Sequence, residues 1–142
     1  MKSCKFALAS SDGIELTSKH FGDSELFVLG EILDDGTVNI TKQIKNEFRN
    51  VDETTAHGST EKRQSIISYL GKDIDFIIAG QMSPNFKKIN MKTKVCPIVS
   101  EITDIQQLLT HLKSNLDVLQ QLKKEKEKNG TPDILRIGNS PV

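Results

Sequence analysis

Tryptophan is absent from this 142-residue chain, and aromatic residues make up only 5% of it. Proteins that hold single-stranded nucleic acid stack bases on aromatic rings, and little is present here to build such a platform. Net charge is missing too, with 19 Lys and Arg balancing 19 Asp and Glu. A neutral chain has no basic footprint for a phosphate backbone, so no nucleic-acid partner is expected. No apolar run approaches the roughly 18 residues of a membrane span. The opening Met1-Lys2-Ser3-Cys4-Lys5-Phe6 leads into a short mixed run rather than a signal-peptide core, so no membrane association is expected. Cysteine is scarce. Cys4 and Cys96 rule out a disulfide scaffold and point to a reduced, cytoplasmic protein.

The common catalytic signatures are missing as well. There is no GxGxxG, GxxxxGK[ST], HExxH, CxxC or GxSxG. Carboxylates fall in turns and on helix surfaces, and the first, fourth and fifth expected strands have none at their centres. A two-metal nuclease or hydrolase site needs several carboxylates converging from such positions. An enzyme is therefore not expected.

What is present has a clear order. Residues 5–10 read as a first strand, and Ser10-Ser11-Asp12-Gly13 as a turn. Leu26–Leu33 is nearly continuous apolar sequence, the pattern of a strand covered on both faces. Asp34-Asp35-Gly36 then signals a hairpin into a strand over 37–44, with Val38, Ile40 and Ile44 on one face. Residues 45–58 are polar and aperiodic and end in Ala56-His57-Gly58. Ser59 or Thr60 caps a helix ending at Leu70 and Gly71. An apolar strand over 74–79 follows, then Ser83-Pro84 as N-cap and first residue of a short helix. Residues 95–99 form another strand, placed at a sheet edge because Pro97 cannot donate to a ladder.

Thr103-Asp104-Ile105-Gln106 reads as a capping box. Behind it Ile105, Leu109, Leu112, Leu116 and Leu119 step at heptad spacing into the Lys/Glu run of 123–128. One helix over this stretch would reach about 35 Å at 1.5 Å per residue. Either its far part projects or packs on a partner, as in a homodimer through this helix, or it is a core helix with a solvated charged end. The last ten residues read as a loose tail. The expected fold is an α/β domain over residues 1–115, with a mixed five-stranded sheet flanked by helices, followed by a C-terminal helix extension and flexible tail over 116–142. In such sheets ligands sit beside the carboxyl ends of the parallel strands, here Ser10-Ser11, Gly80-Gln81-Met82-Ser83 and Ser100.

His20-Phe21-Gly22 stands out in the loop after the first turn. Gly permits a close turn, Phe anchors the loop in the core, and His presents an imidazole, a good borderline metal ligand. His57 is a second candidate ligand, whereas Cys4 and Cys96 read as small core hydrophobes. Ala7-Leu8-Ala9-Ser10-Ser11-Asp12-Gly13, then His20-Phe21-Gly22, Phe27-Val28-Leu29 and Ile77-Ile78-Ala79-Gly80-Gln81-Met82-Ser83-Pro84 follow one another in an order and spacing that resembles the dinitrogenase iron–molybdenum cofactor biosynthesis family. The resemblance spans roughly residues 4–112. It implies a ribonuclease-H-like motif and a carrier of iron–sulfur clusters or iron–molybdenum cofactor precursors. It further implies a cluster held by His20, with the backbone N–H groups of Ser10, Ser11, Asp12 and Gly13 and of Gly80, Gln81, Met82 and Ser83 facing the anion, and a cluster donor or acceptor protein as partner. The chain departs from the family pattern in two places: residues 45–58 contain no Cys, and Ser83 stands where Gly is usual. The alternative is a module that has lost its cluster and acts through the long C-terminal helix.

Overall fold

A computed structural model of the chain describes residues 3–48, 56–71 and 73–138, with side chains in the first helix described from residue 62 onward. Among the described residues a six-stranded mixed sheet is flanked by four α-helices. The strands are β1 (Ser3–Ser10), β2 (Leu26–Leu33), β3 (Val38–Lys45), β4 (Phe76–Ala79), β5 (Cys96–Ser100) and β6 (Leu135–Ile137). The helices are α1 (Ala56–Leu70), α2 (Pro84–Lys92), α3 (Ile105–Ser114) and α4 (Leu116–Glu127). The strand order is β3-β2-β1-β4-β5-β6. The first two pairings, β3 with β2 and β2 with β1, are antiparallel, and the rest are parallel.

The alternation of each inner strand splits the core in two. Cys4, Phe6 and Leu8 of β1, Phe76 and Ile78 of β4, and Cys96 and Ile98 of β5 meet Ile105, Leu108, Leu112 and Leu119 of α3 and α4. On the other face Ala7 and Ala9, Ile77 and Ala79, and Val99 meet Ile66 and Leu70 of α1 and Phe86 and Ile89 of α2. A central strand buried on both faces is largely apolar, which is why β1 and β4 carry no carboxylate.

Six sequence expectations change. The first helix begins at Ala56, ahead of the Ser59 or Thr60 expected to cap it, so residues 56–58 are helix rather than loop. The sheet has six strands, because Leu135-Arg136-Ile137 of the supposed loose tail pairs with Ile98, Val99 and Ser100. β5 is consequently internal despite Pro97. Cys96 N–H donates to Asp75 O on the β4 side. Strand alternation turns the Pro97 nitrogen the other way, where the β6 ladder starts only at Ile98. The face of β3 also switches. The β2–β3 register slips between Leu29 and Gly30, so Thr41 is the extra residue of a bulge. Val38 therefore packs on the first core and Ile44 on the second. Gly30 is obligatory beside this bulge, since a Cβ there would stand 2.6 Å from both the Phe6 ring and Asn39 O.

The N-cap of α3 is Asp104 rather than Thr103; its carboxylate accepts from Gln107 N–H at 2.9 Å. Finally, the extended C-terminal helix is two helices. Asn115 leaves the helical region at φ −121°, ψ 32°, and its Nδ2 bonds back to His111 O, the backbone competition typical of Asn. Beyond the break α4 lies on the domain. Leu119 is buried in the first core, and Leu116 and Leu122 pack against it. The leucine stripe that suggested a partner or homodimer covers the sheet instead. The Lys/Glu run is anchored too: Lys123 Nζ donates to Ser3 O at 3.0 Å and lies 3.3 Å from Asp75.

A candidate cofactor cleft between a 3-10 turn and two helices

The loop from Ser10 to Ser24 crosses the carboxyl ends of β1, β4 and β5. Its first part is a closed local network. Ser10 Oγ donates to Glu15 O at 2.5 Å and accepts from Gly13 N–H at 2.8 Å and Asp12 N–H at 3.3 Å. Asp12 Oδ1 accepts from Ile14 N–H at 2.8 Å and Glu15 N–H at 3.0 Å. These bonds, that from Glu15 foremost, hold the Asp12 carboxyl below its ordinary pKa. Gly13 sits at φ +82°, and a Cβ there would strike the Gln43 amide at 2.5 Å. The amides of residues 12–15 are thus committed to Ser10 and Asp12 side chains.

The next part forms a 3-10 turn, Phe21–Asp23. Phe21 is buried; its ring centroid lies 4.8 Å from Phe27 and 5.7 Å from Phe86, tying the turn to β2 and α2. Gly22 lets the turn approach α1, since a Cβ there would be 3.3 Å from the Lys62 stem and 3.5 Å from Ile66. Asn46 Nδ2 donates to Gly22 O and Ser24 O, both at 2.9 Å, locking the exit.

His20 stands half-buried at the head of this turn, on the wall of a cleft of about 250 Å³ between the turn, α1 and α2. Of the residues expected at the site, His20, Phe21, Gly22 and Ser83 line this cleft; Ser10, Ser11, Asp12, Gly13, Gly80, Gln81 and Met82 do not. Ser11, Asp12 and Gln81 are exposed, Met82 packs on the second core, and Gly80 lies against Thr17 O. His57 belongs to α1, but its side chain lies outside the described residues.

The polar lining residues that escaped the sequence reading are Asp23, Lys62, Arg63 and Asn85. Lys62 is 1% exposed and its Nζ donates to Asp23 Oδ1 at 2.5 Å. Arg63 beside it is 8% exposed, and its buried Nη1 has no hydrogen-bond partner among the described residues. Asn85 lies in the first turn of α2. The available signal was a basic pair one turn before Ile66-Ile67, which puts cationic heads over an apolar helix face. Ser83 caps α2, accepting from Phe86 N–H at 3.3 Å, and Pro84 takes the first position as the sequence suggested.

No group of three His, Cys, Asp or Glu side chains suited to a metal ion occurs among the described residues. Both cysteines lie in the first core, across the sheet from the cleft. Burial pushes each thiol up to about 11, with nearby Lys123 offsetting this slightly at Cys4 and Lys126 at Cys96. Neither thiol is therefore expected to react with iodoacetamide in the native protein at pH 8, while both react after unfolding. In the unfolded chain they ionise near 9, so folding stability is complete below that pH and falls as pH rises toward 11. Urea unfolding across this range checks the slope.

The fold is thus a small α/β domain with a cleft walled by a histidine and the start of a helix. A family model described as dinitrogenase iron-molybdenum cofactor matches residues 2–115, and the chain belongs to that family. Membership links it to the iron–molybdenum cofactor or its precursors. No curated protein matches the chain. No described helix is long and apolar enough to cross a membrane.

Proposed function

We propose that this protein is a non-enzymatic, cytoplasmic carrier that binds an iron–sulfur or iron–molybdenum-type cofactor, or its precursor, and passes it to an acceptor protein. The cargo sits at the His20 cleft, and His20 is its protein ligand, joined by His57 where that side chain reaches it. The observation that carries this reading is the placement of His20 beside a lined cleft by two devices of its own motif, the Phe21 anchor and the Gly22 approach, and by the Asn46 lock from beyond β3. A single well-positioned imidazole suits a carrier, because cargo held by few protein ligands leaves as readily as it arrives. The Ser10, Ser11, Asp12 and Gly13 turn fixes the start of the His20 loop, and Gly80, Gln81 and Met82 lead into the Ser83 cap of α2. The ribonuclease-H-like frame is the run β3-β2-β1-β4-β5 within residues 1–115. Residues 116–142 brace it through α4 and extend it through β6.

The test is anaerobic loading with iron and sulfide, or with isolated cofactor precursor, followed by gel filtration, metal analysis and visible absorbance. Wild type is expected to retain metal and a charge-transfer band. His20→Ala is expected to lose most of both, with its far-ultraviolet circular dichroism unchanged because the imidazole makes no cap hydrogen bond to the turn. Equal metal in the two proteins would remove His20 from the ligand set.

A further inference from the structure

Arg63 is the least satisfied side chain near the cleft. Arg63 as a whole is more than nine-tenths buried, and its Nη1 is out of reach of solvent with no acceptor among the described residues. Buried donors are almost always paired, and a buried charged donor left without an acceptor costs more than a neutral one. Arg63 lines the same cleft as the first turn of α2. That helix has nine residues, is capped by Ser83 and begins Pro84-Asn85-Phe86, so its positive end faces the space that Arg63 borders. The described lining holds two cationic side chains, Lys62 and Arg63, against one carboxylate, Asp23, which already accepts from Lys62.

We propose that the cleft contains a subsite for an oxygen-bearing anion, a carboxylate or phosphate, bound by Arg63 and favoured by the positive end of the α2 dipole. A guanidinium presents paired N–H groups that match two oxygens of such a group, and Nη1 has no acceptor among the described residues. Ile66, Ile67 and Phe86 form the apolar part of the wall. The subsite shares the cleft with the proposed cargo but needs no cluster, so it stands or falls on metal-free protein.

The experiment uses isotope-labelled, metal-free full chain titrated with inorganic phosphate and, separately, with citrate, at ionic strength held constant with chloride. Saturable shifts at Gly22, Asn85 and Phe86 with either anion are expected, and whichever one acts identifies the anion's chemistry. Arg63→Gln is expected to weaken that binding about tenfold or more, and Arg63→Lys less. If Arg63→Gln fails to fold, the wild-type Arg63 side-chain resonances decide the matter, because they must shift with the same midpoint as the amides. Absence of saturation with both anions overturns the subsite, as does equal binding by Arg63→Gln. Phosphate binding without iron loading would leave the anion subsite standing and defeat the carrier reading; iron loading without anion binding would do the reverse.

Discussion

Lys126→Met is expected to lower the stability of the protein by about 3 kcal/mol, a fall of roughly 10 °C in the melting temperature of a chain this size. Lys126 lies near the end of α4 and is only 2% exposed. Its ammonium donates to Asn90 O at 2.5 Å and to Thr93 O and Val95 O at 2.9 Å. Three donors thus meet three carbonyls in the stretch where α2 ends and β5 begins. Burial alone drives the amine's pKa down, and Cys96 offsets this in part. Methionine keeps the stem's volume but strands the three carbonyls. Buried groups that lose their partner account for the size of the loss. A change confined to a few tenths of a kcal/mol in urea unfolding would show instead that water replaces the ammonium at no cost. The Lys/Glu run thus contains a structural cap for α2.

The opposite end of α2 carries the second large effect. Phe86→Ala is expected to cost about 3–5 kcal/mol. Phe86 is 1% exposed, and its ring sits 5.7 Å from that of Phe21. Removing it leaves a cavity under the turn that presents His20. The variant should therefore lose cofactor retention as well as stability, whereas Lys126→Met, on the far side of α2, should retain cargo at temperatures where it is folded. Denaturant midpoints and metal retention measured together separate the two outcomes.

Much of this architecture can be read from the residues. The hairpin is written in Asp34-Asp35-Gly36, and Gly36 indeed takes φ +88°. The start of α2 is written in Ser83-Pro84, because the cap and the ring constraint act within one turn. The buried strands announce themselves by apolar runs. Legibility fails where structure depends on pairing across long separations. Leu135-Arg136-Ile137 is too short to show a period, and it becomes a strand only because the edge of β5 is there to receive it. The break at Asn115 is hidden because Leu112 and Leu119 keep the same spacing on either side and reach the same core. The bulge at Thr41 leaves no mark in the pattern, although it moves Val38 and Ile44 to different faces.

The site divides the same way. His20-Phe21-Gly22 is visible because its three roles are local. Lys62 and Arg63 lie some forty positions further on in a polar stretch, and only the approach of α1 to Gly22 brings them to the cleft. The expectation for the Ser10–Gly13 turn rested on free amides, and the Ser10 hydroxyl uses those of Asp12 and Gly13 first.

The most direct test of the central claim is to locate the cargo in loaded protein by paramagnetic broadening of amide signals. A cofactor held by His20 should broaden Phe21, Gly22, Lys62 and Phe86 first and leave the α3 and α4 face sharp. Broadening centred instead on α3, α4 or the Cys4–Cys96 core, or spread evenly over the chain, would contradict the carrier site described here.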